Sequence, residues 1–108
     1  MGRKSKGINA ERELIHKFWE NGWAATRVAG SGSIKYASPD VIAGTALRKL
    51  AIECKALKGT KKYFPKKEIE GLELFSRKFG AEPWIGVRFD RDQWYFLPTS
   101  DLEDTGKS

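Results

Sequence analysis

The sequence predicts a single α/β domain whose elements run in the order α-β-β-β-α-β-β. Three observations predict it. Leu14, Ile15, Phe18 and Trp19 recur at helical spacing. Ile52 and Cys54 alternate with Glu53 and Lys55, the period of a strand. Pro65 and Gly80 bracket a stretch that suits a second helix, proline being tolerated at a helix start and glycine at its end.

The elements follow in order. Residues 9–21 read as an amphipathic helix with Asn9 able to cap its start and Asn21-Gly22 ending it. Trp23–Val28 is a short strand, followed by a loop from Ala29 through Gly30-Ser31-Gly32-Ser33 to Ser38. Pro39 opens a second strand, Asp40–Ala43, closed by Gly44-Thr45. Leu50–Leu57 is the third strand, with Ile52 and Cys54 facing a core and Glu53 and Lys55 sharing an open face. Lys58–Lys62 is a basic turn, and the second helix runs from Pro65 or Lys66 to Phe79. Trp84–Phe89 and Gln93–Leu97 form a hairpin around Asp90-Arg91-Asp92. Residues 1–8 read as a flexible basic arm, and 99–108 as a polar tail that frays or makes one last turn.

The chain has 108 residues, the size of one domain spanning 1–108. A core this small leans on its aromatics, and four Trp, six Phe and three Tyr supply that bulk with some to spare for an oligomer interface. Twenty Lys and Arg against fourteen Asp and Glu give a formal charge of +6, which favours a polyanionic partner, nucleic acid ahead of an anionic membrane. A merely soluble basic domain is the plain alternative. No apolar run approaches the roughly 18 residues of a membrane span, and no apolar segment follows the basic N-terminus as it would in a secretory signal. The single Cys54 leaves no internal disulfide and no Cys-x-x-Cys metal site, which points to a reducing, cytoplasmic setting.

The chemistry lies in Pro39-Asp40 and Glu53-Cys54-Lys55. Pairing of the two strands brings Asp40, Glu53 and Lys55 together. Two carboxylates converging on a point repel unless a cation sits between them, and hard oxygen ligands suit Mg²⁺, with Mn²⁺ able to substitute. The backbone carbonyl of Cys54 is a further candidate oxygen ligand. Lys55 would sit beside the metal and orient a water or neutralise a phosphate oxygen. The alternative is a solvated Glu/Lys strand face. Against it, Val41-Ile42-Ala43 and Leu50-Ala51-Ile52 set both carboxylates into apolar strands, where an unpartnered charge is costly. Two basic clusters flank the motif: Arg3, Lys4 and Lys6 in the arm, and Lys58, Lys61, Lys62, Lys66 and Lys67 after the third strand. They could neutralise phosphates, or be ordinary solvated charge. Tyr63 and Phe64 could stack on a partner or pack internally. His16 has no second His or Cys near it and reads as structural or surface.

The arrangement resembles the archaeal Holliday junction resolvases of the PD-(D/E)xK nuclease superfamily, found also in viruses of prokaryotes. The matching stretches are Lys6-Gly7, Glu11-Arg12-Glu13-Leu14, Arg27, Ser31-Gly32-Ser33, Pro39 to Gly44, Ala51 to Lys55 and Phe75 to Gly80. The resemblance implies a restriction-endonuclease-like core, a central mixed five-stranded sheet flanked by helices. It also implies a homodimer that binds branched DNA, the four-way junction, and makes paired metal-dependent cuts leaving 5′-phosphate and 3′-hydroxyl ends. By the same resemblance Glu11 completes the acidic cluster, Asp40 and Glu53 are the principal metal ligands, and Lys55 is the catalytic lysine. Ser31 lies near the scissile phosphate, Arg12 and Arg27 engage DNA, and Phe75 and Phe79 pack at the dimer contact, with Trp84 and Ile85 as further candidates. Many such resolvases continue past the last strand, whereas here the chain stops soon after Leu102. Two rival readings stay open: a nuclease of the same fold with another DNA target, and a non-catalytic protein that only coats branched DNA.

Overall fold

The computed structural model describes residues 3–29, 35–56, 65–89 and 93–102, with the backbone alone at 3–8 and 56. Seven elements follow the expected order: α1 (Arg3–Glu20), β1 (Ala24–Arg27), β2 (Val41–Gly44), β3 (Lys49–Ala56), α2 (Lys66–Phe79), β4 (Glu82–Phe89) and β5 (Gln93–Pro98). A short 3-10 turn, Thr99–Asp101, follows, and Leu102 packs against the core. The strands form one sheet in the order β1-β2-β3-β4-β5. It is mixed: β3 and β4 are parallel and every other pair is antiparallel. A parallel pair needs a crossover, which α2 supplies.

Both helices end by the same device. Gly22 and Gly80 take φ of 89° and 84°, a left-handed conformation that glycine adopts without steric cost. At Gly22 the Trp23 N–H donates to Phe18 O at 3.0 Å, and the two rings meet at 5.5 Å, the apolar contact that accompanies such a cap. At Gly80 the N–H donates to Ser76 O at 2.8 Å.

The start of α1 differs from the sequence expectation. Residues 3–8 are helical and continuous with the rest, so Asn9 lies inside the helix and caps nothing. Arg and Lys are good helix formers and the run holds no proline; Gly7 alone costs about 1 kcal/mol, too little to stop it. In β4 the strand begins two residues earlier than expected and takes in Pro83. Proline fits because it lies near the strand start, before β5 pairing begins at Trp84.

The sheet has a core on each face. On one, Leu14 of α1 meets Val41, Ala43, Leu50 and Ile52, with Phe18, Trp23, Trp84 and Trp94 around them. On the other, Leu72 of α2 meets Ala51, Ile85 and Val87, with Ile69, Phe75 and Phe89 at the margin. The alternation in β3 thus sends Ile52 and Cys54 to α1, and Ala51, Glu53 and Lys55 to α2. The face carrying Glu53 and Lys55 is therefore covered in part by a helix, not open. Ile85 is fully buried beneath α2 and offers nothing to a dimer surface. Trp84 lies on the α1 face, away from Phe75 and Phe79.

Candidate active site

The site forms where β2 stops short of β3. Their ladder closes with Val41 opposite Ile52, and Asp40 carries it one step further: its N–H donates to Ile52 O at 3.0 Å and its carbonyl accepts from Val28 N–H at 2.9 Å. Beyond that, no strand among the described residues pairs with β3 on this edge. The Asp40 side chain takes over, Oδ2 accepting from the Cys54 N–H at 2.9 Å. A strand residue aims its N–H and C=O to the same side, so the Cys54 carbonyl belongs to the same edge as Asp40. Cys54 itself is a half-buried strand residue whose thiol is pushed up by burial.

Glu11 comes from the sheet-facing side of α1. It accepts from Arg27 Nε of β1 at 3.0 Å, so two residues expected to serve metal and DNA separately are paired with each other. Lys55 Nζ lies 2.9 Å from Glu68 Oε1, in the first turn of α2. The cluster therefore gathers side chains from α1, β1, β3, α2 and the residue before β2.

Its electrostatics are those of carboxylates short of positive charge. Burial pushes the Glu53 carboxyl up to about 8, and Asp40, Glu68 and Glu11 add to the rise while Lys55 opposes it. Asp40 is raised by burial, against the Cys54 N–H and Lys55, which favour its charged form. Glu11 is raised by burial and by Asp40, with Arg27 pulling the other way. Among the described residues, no three His, Cys, Asp or Glu side chains are drawn together tightly enough to hold an ion as they stand. The donor set nonetheless fits a hard divalent cation: several half-buried carboxylates raise one another, and Arg27 and Lys55 offset them only in part.

The remaining expected residues separate. Arg12 is exposed on α1. Phe75 packs partly into the α2 core and stacks on Phe79 at 5.1 Å, while Phe79 stays 48% exposed. Ser31, Lys61 and Lys62 lie outside the described residues, as do Lys58 and the Asp90–Asp92 turn; for Arg3, Lys4 and Lys6 only the helical backbone is described.

Two groups were not singled out from the sequence. Glu68 is one charge among several on a helix, with no spacing to mark it. Glu13 accepts from Arg88 Nε at 2.7 Å and from Trp94 Nε1 at 2.8 Å, tying α1 to β4 and β5. Its place beside Glu11-Arg12 was visible; its partners, 75 and 81 residues away, were not.

The chain and its fold are similar to known proteins. A family model described as archaeal Holliday junction resolvase (Hjc) matches residues 2–108. The crossover junction endodeoxyribonuclease Hjc of Archaeoglobus fulgidus is 43% identical over 105 residues, covering 97% of this chain and 77% of that protein. The enzyme of the same name from Methanocaldococcus jannaschii is 37% identical over 93 residues, covering 86% and 66%. The crystal structure of A. fulgidus Hjc, a Holliday junction resolvase from an archaeal hyperthermophile, superimposes with a TM-score of 0.86 at 42% identity, over 90% of this chain and 79% of that one. With a model matching nearly its whole length, the chain belongs to the archaeal Holliday junction resolvase family.

Proposed function

We propose that this protein resolves four-way DNA junctions by metal-dependent hydrolysis, acting as a homodimer that cuts two opposed strands. The observation that carries the reading is the gathering of Asp40, Glu53 and Lys55 where β3 runs on beyond its ladder with β2, in a chain of the resolvase family.

Each residue has a task. Asp40 keeps one oxygen on the Cys54 N–H and offers the other, with Glu53 and the Cys54 carbonyl, as the oxygen set for Mg²⁺ or Mn²⁺. Glu11 supplements them, steered by Arg27. When bound, the divalent cation supplies an acidified water and charge stabilisation at the phosphate. Lys55 neutralises a phosphate oxygen and orients the attacking water. By the family resemblance, Ser31 is assigned to the scissile phosphate. Arg3, Lys4, Lys6, Arg12, Lys61 and Lys62 are assigned to junction arms. Such contacts read backbone shape rather than bases.

A two-fold dimer presents two equivalent sites to a junction of approximate two-fold symmetry. The outer surface of α2 supports it: Leu74 and Phe79 are 40% and 48% exposed on a helix whose other side is core. Phe75→Ala/Phe79→Ala is expected to sediment as a monomer; an unchanged dimer removes these residues from the interface.

The deciding experiment compares cleavage of a synthetic four-way junction with a linear duplex of the same sequence, with and without Mg²⁺. Cutting of the junction alone, and only with the cation, is expected. Equal rates on both substrates would favour a nuclease with another DNA target, and no cutting a protein that only binds.

A further inference from the structure

We propose that Glu68 is a positioning residue that occupies the Lys55 ammonium while DNA is absent and yields it to a phosphate oxygen when DNA binds. The inference rests on the role given above to Lys55.

The geometry of the pair carries it. Lys55 Nζ and Glu68 Oε1 are 2.9 Å apart, a charge-assisted contact of the kind the same ammonium makes with a phosphate oxygen. The two side chains are 27% and 40% exposed, so the pair lies within reach of solvent and of a polyanion. An ion pair this open is weak and exchangeable. A buried one would resist exchange.

Position adds a second argument. Glu68 stands in the first turn of α2, where the helix dipole favours a carboxylate without any help from Lys55. Losing the lysine therefore leaves Glu68 tolerably placed. Lys55 in turn has three N–H donors on a flexible stem and can swing from one anion to another. Glu68 also adds its charge to the field felt by Asp40 and Glu53, so it belongs electrostatically to the cluster although it comes from a different element. A phosphate approaching the site meets a lysine already engaged, and a carboxylate that must be displaced. The site thus resists anions that merely pass by.

The experiment is a double-mutant cycle on binding, read without cleavage. A labelled four-way junction is titrated in EDTA over a range of salt with wild type, Glu68→Gln, Lys55→Met and the double variant. Glu68→Gln is expected to bind several-fold more tightly at low salt. Its dependence of log Kd on log salt is expected to match wild type, since Lys55 meets the phosphate in both complexes, whereas Lys55→Met is expected to flatten it by about 0.9, the loss of one phosphate contact. In the Lys55→Met background Glu68→Gln is expected to leave affinity unchanged. If Glu68→Gln tightens binding equally with Lys55 absent, Glu68 acts by simple repulsion and the proposal is overturned. No change in either background overturns it too. Should Glu68→Gln fold poorly, Glu68→Asp shortens the reach to Lys55 and is expected to tighten binding in the same way by less. A protein that never cuts junctions in Mg²⁺ would defeat the proposed function, while the affinities of this cycle would still report the exchange at Lys55.

Discussion

The two ends of β3 and β4 place carboxylates in opposite circumstances. At the N-terminal end, Glu82 accepts from Arg48 Nη2 at 2.7 Å and Nε at 2.9 Å, and from the Trp84 indole N–H at 3.2 Å. Arg48 also lies over the Trp23 ring, 5.7 Å from its centroid. These bonds hold the Glu82 carboxyl below its usual range. At the C-terminal end, burial and three other acids push Glu53 up to about 8. One end pairs its carboxylate and is exposed; at the other, Glu53 is half-buried among acids that push it toward its neutral form. The first is a clasp. The second is an arrangement that a structural role alone does not explain, and strongly perturbed carboxylates of this kind are where chemistry is expected.

The largest test of this contrast is Glu53→Gln. It is expected to lower junction cleavage in Mg²⁺ by roughly 100- to 1,000-fold or more, with junction binding kept within a small factor. Cleavage at the wild-type rate would remove Glu53 from the metal set. Asp40→Asn is expected to behave alike.

The same Glu53→Gln change should stabilise the metal-free protein. Glu53 has its folded pKa raised, from 4.5 to about 8, so the native state keeps a proton that the unfolded chain loses. Stability contributed by this group therefore falls as pH rises from about 4.5 to about 8, then levels off. The glutamine variant lacks that slope and is expected to be more stable by about 1–3 kcal/mol at pH 8, measured by urea unfolding in EDTA. A variant less stable than wild type at that pH would mean the carboxylate is already compensated. Saturating Mn²⁺ should flatten the wild-type slope and leave the variant little changed.

The smallest effect belongs to the clasp. Glu82→Gln removes an exposed pair, and surface pairs contribute little. Its melting temperature is expected to move by no more than about 4 °C, with cleavage unchanged. A large loss of cleavage would show that the two ends communicate.

The element order was legible in the sequence because its signals are local. Gly22 and Gly80 mark positive-φ caps, and the Ile52-Glu53-Cys54-Lys55 alternation sorts β3 between two faces. Asp40, Glu53 and Lys55 were legible as a motif for the same reason. What escaped depends on contacts distant in sequence. Parallel pairing with β4 requires α2 to cross over, which covers the Glu53 face and buries Ile85. Glu11 and Arg27 were each identified, yet their pairing depends on α1 crossing β1. Glu68 gains meaning only once α2 sets it against Lys55. The N-terminal residues read as an arm because they are charged, although charge in Arg and Lys does not oppose a helix.

The bond from the Cys54 amide to Asp40 Oδ2 has a consequence for denticity. A carboxylate serving as a rung of the backbone ladder has one oxygen already holding an N–H, so the other is the freer of the two to act elsewhere. Asn at this position retains an acceptor for the rung, whereas Ala would strand a peptide N–H at the end of β3. A geometric defect and a chemical one are therefore separable at this residue by the choice of replacement.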